Sequence, residues 1–555
     1  MVLWGGLLPI PSQVVADVIT FVGLAYSTLT KPTWENLQTL VGTCVMAIAV
    51  SGNLTNKWTV IFPLVPFVIL QSLRRIKNIE NNKIMSTIIV ILCCLLIVIS
   101  AMLSVLFPAV ELPLPVVMTL NSNNDASTTT SPRYQVGIIE TFLPVSNLLF
   151  NDYEKTGTRP NATQDHVTVR ILYPTLDTYS SKTKRKFLRP STAEEFCRST
   201  MQAGAPPPLK EYDWMVHNWR LITLPNVHQN AKLHTKGKEE NGGSGSETWP
   251  VIVYSHGLGG TAELYTYQTV AMASAGNIVL VIEHLDGSGP IIQRKDGSVL
   301  LRDESVVQDW IDKRYVEYAI KRRIMVEHRA KELLAALDTF LQLNVVDMPE
   351  LDNIGSVSFI GSMNTNEIHY MGHSFGGSSV VHAAKLRPPS GTIIAHEPVS
   401  DWLPDDSRLD LFDKSRLEGG PYYESYNGGT GGFGDGSSTS DDADTIANSL
   451  HDMDMLVLWS HEWISKGTES SNILLDMYER GQFGPRDIAT NVSHVGVIDQ
   501  AYHNEFSDTC MITPLWLARA SKITGSRNPI DTAYEIHERS LNFLQAWKMK
   551  SKVAL

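Results

Sequence analysis

The chain has 555 residues, too many for one ordinary domain, and hydrophobic side chains make up 43% of them. Its formal net charge is −12, so the basic surface that nucleic-acid binding requires is missing and no nucleic-acid partner is expected. The apolar residues are concentrated toward one end, which predicts two regions of different character.

Residues 1–109 are mostly apolar and predict a transmembrane helical region of three or four spans. The strongest span is 84–107, an uncharged run long enough to cross a bilayer. No Lys or Arg precedes the first apolar segment, which argues against a signal peptide. The weaker candidate spans are 13–30, 37–52 and 57–73.

The loop at 74–83 is the most basic short loop of this region. The positive-inside rule places such a loop in the cytoplasm, so the chain after residue 108 is expected on the lumenal or extracellular side. The expected localisation is therefore that of a multi-pass integral membrane protein. Three N-x-[ST] triplets, candidate glycosylation sites on that same side, lie at Asn53, Asn161 and Asn491.

Residues 110–133 are rich in Pro, then in Ser, Thr and Asn, and predict a linker. Residues 134–550 then predict one α/β domain with a mostly parallel sheet, because apolar strands alternate with helices. Gly- and Ser-rich segments near 236–248 and 427–444 are interpreted as disordered surface insertions. The predicted strands are 166–174, 249–257, 277–284, 367–371, 391–398, 455–463 and 491–499, and the predicted helices include 316–343 and 378–386.

The cysteines and histidines give little sign of a metal or a disulfide. Cys197 and Cys510 lie in the soluble part and could pair in an oxidising compartment, but the sequence does not favour the pairing. The chain has no CxxC pair and no cluster of His and Cys with ligand spacing. We therefore expect no metal and no cofactor.

The stretch GHSFGG places Ser374 in a G-x-S-x-G frame between a predicted strand and a predicted helix. Strand, sharp turn and helix form the context of a nucleophile elbow, in which the serine sits on a strained turn. The sequence therefore predicts Ser374 as a nucleophile, against the alternative of a structural serine among glycines.

An elbow serine needs a base and an acid downstream, in the order Ser, acid, His. His503 follows the last predicted strand in a polar loop and is the predicted base, with His494 as the second choice. Three carboxylates compete for the acid, and position alone does not choose among Glu397, Asp401 and Glu462.

The glycine-rich SHGLGG loop at 255–260 follows a strong strand and precedes a helix. An early strand-helix loop supplies one N–H of the oxyanion hole in this kind of fold, and the residue after the nucleophile supplies the other. The predicted donors are the backbone amides of Leu258 and Phe375.

The soluble part resembles the platelet-activating-factor acetylhydrolases of the plasma and intracellular type, calcium-independent phospholipases of the A2 type with the α/β-hydrolase fold. The resemblance covers roughly residues 133–550 and is specific when its motifs are taken together. The motifs, in family order, are YQVGIIE, VRILYPTLD, VIVYSHGLGGTAELY, VIEHLDGS, VEHRAKELLAALD, GHSFGG, IIAHEP and YHNEFSD.

The resemblance implies that Ser374 is the nucleophile and His503 the base, with Leu258 and Phe375 as oxyanion donors. The family's acid follows the strand after the elbow helix, where this chain reads HEP, so Glu397 takes that place although the family has Asp.

The implied activity is hydrolysis of the sn-2 ester of phospholipids with short or oxidised acyl chains, through an acyl-enzyme and without a metal. A phospholipid substrate and a membrane are the expected partners. The alternatives are a broad carboxylesterase or lipase and a catalytically inactive binding module.

Overall fold

The structure is a computed structural model. It describes residues 112, 134–148, 164–176, 185–204, 218–234, 248–348, 351, 357–404, 407, 450, 453–465, 494–513 and 515–554. By their contacts the residues form two compact units, Met1–Leu112 with Leu221–Thr223 and Ile512–Pro514, and the remainder of the chain. All predicted catalytic residues belong to the second unit.

Thirteen strands occur in the described residues, and nine of them form one sheet. The strands are β1 (Gln135–Leu148), β2 (Gln164–Thr175), β3 (Arg185–Lys186), β4 (Thr223–Leu224), β5 (Val227–Gln229), β6 (Trp249–Ser255), β7 (Ile278–Glu283), β8 (Ile291–Gln293), β9 (Val299–Leu301), β10 (Met363–His373), β11 (Ile393–His396), β12 (Met455–Ser460) and β13 (His494–Ile498).

The α-helices of the described residues lie between these strands or after the last of them. They are α1 (Ala193–Gly204), α2 (Thr266–Ser274), α3 (Glu304–Ile311), α4 (Tyr315–Gln342), α5 (Phe375–Leu386), α6 (His461–Ser465), α7 (Thr509–Ile512), α8 (Leu515–Ala520) and α9 (Pro529–Ala554).

The strand order in the large sheet is β13-β12-β11-β10-β6-β7-β2-β1-β5. Strands β6, β7 and β10 to β13 are mutually parallel, and β2 runs antiparallel to both β7 and β1. The predicted mostly parallel α/β sheet is confirmed, and the order is that of an α/β-hydrolase-like fold. The strands are parallel because they are joined by helical crossovers, and their two buried faces explain the continuous apolar runs of β6 and β7.

The sheet reverses its winding at β6, whose neighbours are β7 on one side and β10 on the other. Right-handed crossovers in opposite directions place their helices on opposite faces of the sheet. Helix α4 accordingly packs with α5, while α2 packs with α9. The carboxyl ends of β6 and β10 meet at this reversal, where α/β sheets place their ligands.

Among the described residues no helix is both long and apolar enough to cross a membrane. The predicted spans of residues 1–109 and the three sequons lie outside the described residues. So do the linker, except Leu112, and the two Gly- and Ser-rich insertions, except Thr248. Cys197 and Cys510 are both buried and are not joined to each other, so the disulfide that the sequence allowed is not formed.

His537 on α9 is a buried imidazole, and neither ring nitrogen has a hydrogen-bond partner among the described residues. Burial lowers the pKa of His537 from 6.5 to about 3. Below pH 6.5 the His537 imidazole binds a proton in the unfolded chain but stays neutral in the folded protein. The free energy of unfolding therefore falls as the pH drops below 6.5.

We expect His537→Leu to raise the free energy of unfolding, because it removes an unpaired buried polar group. The gain should be about 1.4 kcal/mol larger at pH 5.5 than at pH 8, since only at the lower pH does the unfolded imidazole ionise. Urea unfolding at both pH values measures the difference. An equal gain at the two values would contradict the assignment of a neutral buried His537.

Candidate active site

Ser374 is the single residue between β10 and α5, and its backbone has φ 56° and ψ −119°. A non-glycine residue held in this region is strained by roughly 1–3 kcal/mol. The flanking glycines make the turn sterically possible. A Cβ on Gly372 would lie 2.4 Å from the carbonyl oxygen of Gly376, and one on Gly376 would lie 2.1 Å from that of Ser255. The G-x-S-x-G frame is therefore a requirement of the turn.

The imidazole of His503 lies between the Ser374 hydroxyl and a carboxylate. Its Nε2 is 3.0 Å from Oγ of Ser374, and its Nδ1 forms a short hydrogen bond with Oε2 of Glu397. His503 opens a 3₁₀ turn after β13, and the indole of Trp463 stacks on its ring at 4.3 Å between centroids. The three side chains thus form one hydrogen-bonded chain from Ser to His to Glu.

Glu397 follows β11 directly, is fully buried, and also has a positive φ, 47°. Its second oxygen, Oε1, accepts the backbone N–H of Ser460 at the end of β12. Burial alone would raise the pKa of Glu397, but the charge and hydrogen bond of His503, with the nearby imidazole of His373, outweigh it and lower the pKa to about 2. The carboxylate is therefore ionised at neutral pH.

The other residues considered for acid and base lie elsewhere. Glu462, in the first turn of α6, accepts the backbone N–H of His503 at 2.9 Å. Asp401 lies in the 3₁₀ turn Ser400–Trp402. His494 is the first residue of β13, at the opposite end of that strand from His503. Of all the residues predicted as acid or base, Glu397 and His503 are the two that hydrogen bonds join to Ser374.

The loop that carries Leu258 passes over the end of β10. A Cβ on Gly257 would lie 3.3 Å from the carbonyl oxygen of His373, so the two segments are in close contact. Phe375 is the first residue of α5, and the first N–H groups of a helix have no partner within the helix. Both predicted oxyanion donors therefore lie on backbone segments that adjoin the elbow.

Two residues of the site escaped the sequence analysis, His373 and Tyr265. The Tyr265 hydroxyl accepts the N–H of Gly257 at 3.0 Å and lies 2.9 Å from Nδ1 of His373. The hydroxyl proton is thus available to Nδ1, which leaves the His373 proton on Nε2, 3.8 Å from Oε2 of Glu397. Burial lowers the pKa of His373 to about 4, consistent with a neutral ring.

A second Ser-His-Glu arrangement exists away from the elbow. Nε2 of His284 is 2.7 Å from Oγ of Ser255, and its Nδ1 is 2.7 Å from Oε2 of Glu332. All three side chains are 0% exposed, whereas the His503 side chain at the elbow is 21% exposed. Triad geometry alone does not make a site, and this buried copy is a structural network.

In the described part of the chain, one group of side chains could hold a metal ion, namely His373, Glu397 and His503, whose ligand atoms lie within 4.8 Å of one another. Each already has a hydrogen-bond partner within the site. The bond from Nδ1 of His503 to Glu397 leaves its Nε2 for Ser374, the arrangement of a general base.

Comparison with known proteins finds relatives of the part of the chain that carries Ser374. Residues 156–387 match the family model described as platelet-activating factor acetylhydrolase, isoform II. The predicted family resemblance is confirmed for this part of the chain. The matched segment contains Ser374, Leu258 and Phe375, but it ends before Glu397 and His503.

The platelet-activating factor acetylhydrolases of Gallus gallus and Bos taurus are similar to this chain. They are 31% identical over 151 residues and 32% identical over 150 residues, covering 25% and 24% of this chain. The aligned segments span only 35% and 32% of those two proteins. Among solved structures, a ferulic acid esterase from Streptomyces cinnamoneus is similar over 76% of this chain and 91% of its own, with 14% identity and a TM-score of 0.43.

Proposed function

We propose that this protein is a serine hydrolase of carboxylic esters, and that its substrates are phospholipids with a short or oxidised sn-2 acyl chain. The observation that carries the proposal is the hydrogen-bonded chain from Ser374 through His503 to Glu397 at a strained elbow. The platelet-activating factor acetylhydrolase resemblance supports the choice of substrate.

In the first half of the reaction, Oγ of Ser374 attacks the ester carbonyl while Nε2 of His503 takes the hydroxyl proton. Leu258 and Phe375 amides stabilise the developing oxyanion, a contribution of about 3 kcal/mol for each donor. When the carbonyl re-forms, the sn-2 oxygen leaves with the proton from His503. The products are a lysophospholipid and an acyl-enzyme on Ser374.

In the second half, a water molecule attacks the acyl carbonyl and gives its proton to Nε2 of His503. The proton then passes to Oγ of Ser374 as the carboxylic acid departs, which restores the resting site. Glu397 remains ionised throughout, because its pKa of about 2 keeps the negative charge beside the imidazolium that forms twice in the cycle.

The test of this substrate class is hydrolysis of phosphatidylcholines whose sn-2 chains increase from acetyl to palmitoyl. We expect kcat/KM to be highest for the shortest and for oxidatively truncated chains. Turnover of p-nitrophenyl esters with no turnover of any phospholipid would replace the proposed substrate by small esters. No turnover of either class would reject the hydrolase itself.

Turnover should persist in EDTA, because the proposed chemistry uses His503 and not a metal-bound water as the base. The measurement compares initial rates before and after exhaustive dialysis against EDTA, with and without added Ca²⁺ or Zn²⁺. The comparison is informative because the side chains of His373, Glu397 and His503 lie close enough together to hold a metal ion. Activity lost on dialysis and restored by an added ion would contradict the serine mechanism.

We also propose that residues 1–109 anchor the enzyme in a membrane, with its catalytic domain on the lumenal or extracellular side. The basic loop at 74–83, followed by the uncharged run 84–107, supports this orientation. Expression in a eukaryotic secretory system should give a glycosidase-sensitive mobility shift that Asn161→Gln with Asn491→Gln removes. Protease digestion of the catalytic domain from the cytoplasmic face of sealed vesicles would overturn the orientation.

A further inference from the structure

A buried ionic network lies behind the loop that carries Leu258. Arg329 on α4 is fully buried, and its Nη1 donates to the carbonyl oxygen of His256 at 2.6 Å. Its Nε donates to Oδ2 of Asp286 at 2.7 Å, and its Nη2 donates to Oγ of Ser288. The carbonyl of Ser288 in turn accepts the N–H of Gly259 at 2.9 Å. One guanidinium therefore binds both sides of the oxyanion loop, directly at His256 and through Ser288 at Gly259.

Leu258 lies between the two anchored residues. The Leu258 N–H belongs to the peptide plane that joins Gly257 to Leu258. The plane before it is held at the His256 carbonyl and the plane after it at the Gly259 N–H. Because peptide planes are rigid, holding both neighbouring planes restricts the direction of the Leu258 amide. Arg329 also packs on the side chain of Phe375, the residue of the second proposed donor, since its Cζ lies 4.4 Å from the centre of the ring. A cation over an aromatic face at this distance is attractive. Arg329 thus contacts the supports of both amides.

Asp286 keeps the guanidinium in place. Its Oδ1 accepts the backbone N–H and the hydroxyl of Ser288, while Oδ2 accepts Nε of Arg329. Burial by itself raises the pKa of Asp286, but the charge of Arg329 outweighs it and the pKa is lowered, so the carboxylate stays ionised. The same short loop after β7 therefore holds both the anion that fixes Arg329 and the carbonyl that fixes Gly259.

The loop is also secured at its far end, where Oε1 of Glu283 accepts the N–H of Ala262 at 2.9 Å. The VIEHLDGS and VEHRAKELLAALD motifs thereby acquire a physical role, because they supply Glu283, Asp286, Ser288 and Arg329.

We propose that Arg329, held by Asp286 and Ser288, is a positioning residue that sets the geometry of the oxyanion hole. The proposal rests on the proposed ester hydrolysis. Arg329 contacts neither the substrate nor the nucleophile, but it determines how well the amides of Leu258 and Phe375 can donate hydrogen bonds to the tetrahedral oxyanion. Loss of such a support acts on the transition state and leaves ground-state binding nearly unchanged.

The experiment measures kcat and KM for p-nitrophenyl acetate and the inhibition constant of an alkyl trifluoromethyl ketone, whose adduct with serine places an oxyanion in the hole. Arg329→Met should lower kcat by about 10²-fold. KM should stay within about threefold, and the inhibition constant should rise by about the same factor as kcat falls. Arg329→Lys should resemble Arg329→Met, because an ammonium cannot reproduce the three-pronged guanidinium contact.

The matched control is Phe340→Leu, a buried substitution on the same helix α4 but away from the loop. It should lower the melting temperature without changing kcat or the inhibition constant. If Arg329→Met does not fold, Ser288→Ala and Arg329→Lys carry the test, since both leave the core apolar packing intact.

Unchanged kcat in folded Arg329→Lys and Ser288→Ala would overturn the proposal. So would a fall in kcat without a parallel rise in the inhibition constant, which would indicate a general structural effect. Failure of the underlying hydrolase assignment looks different, because the unsubstituted protein itself would then neither turn over the ester nor bind the ketone.

Discussion

Ser374→Ala is expected to abolish ester hydrolysis, with a fall in kcat on the order of 10⁶-fold, because removing the nucleophile of a triad disables all three residues together. The variant should fold normally. Within the part of the chain that the structure describes, alanine removes one side-chain hydrogen bond, the 3.0 Å bond between Oγ and Nε2 of His503. Steady-state kinetics on a p-nitrophenyl ester and a thermal melt measure the two expectations.

The matched control for this substitution is Ser255→Ala, at the serine of the buried Ser-His-Glu network. It should lose about 1 kcal/mol of stability with its hydrogen bond to His284 and retain turnover within about tenfold. The reverse pattern, an inactive Ser255→Ala and an active Ser374→Ala, would show that Ser255 and not Ser374 is the nucleophile.

Glu397→Gln is expected to lower kcat by about 10⁴-fold, since a neutral amide cannot stabilise the imidazolium and favours the wrong His503 tautomer. The comparison variants are Asp401→Asn and Glu462→Gln, and both should stay within about tenfold of the unsubstituted enzyme. Glu462 accepts the backbone N–H of His503, and a glutamine oxygen can accept that bond as well. A severe loss in Asp401→Asn with a nearly silent Glu397→Gln would reassign the acid.

The elbow and the base were accessible to sequence reasoning for a local reason. The G-x-S-x-G frame predicts a tight turn at Ser374, because the glycines that this turn requires are part of the motif itself. The apolar runs of β6, β7 and β12 likewise predict buried strands. His503 follows from chain order once the elbow is accepted. Position alone did not choose the acid, and Glu397 was assigned only through the family resemblance. Its place depends on the turn after β11 and on its contact with Ser460, which no spacing encodes.

The supports of the site were missed because they join segments far apart in sequence. Tyr265 meets His373 across 108 residues, and Arg329 meets His256 across 73. A faint signal was nevertheless present for Arg329. It falls on the apolar face of α4 with Met325, Val326 and Leu333, where an arginine is out of place unless it has buried partners. Such a residue indicates a network but does not name the loop that it holds.

The most direct measurement of the central claim is covalent labelling of the full-length protein with a fluorophosphonate, followed by mapping of the modified residue by tandem mass spectrometry. We expect a single phosphonyl group on Ser374, formed at a rate that Glu397→Gln and Arg329→Lys both reduce and that Phe340→Leu does not. A label on another residue, or a folded protein that takes up no label, would contradict the assignment of Ser374 as the nucleophile of an ester hydrolase.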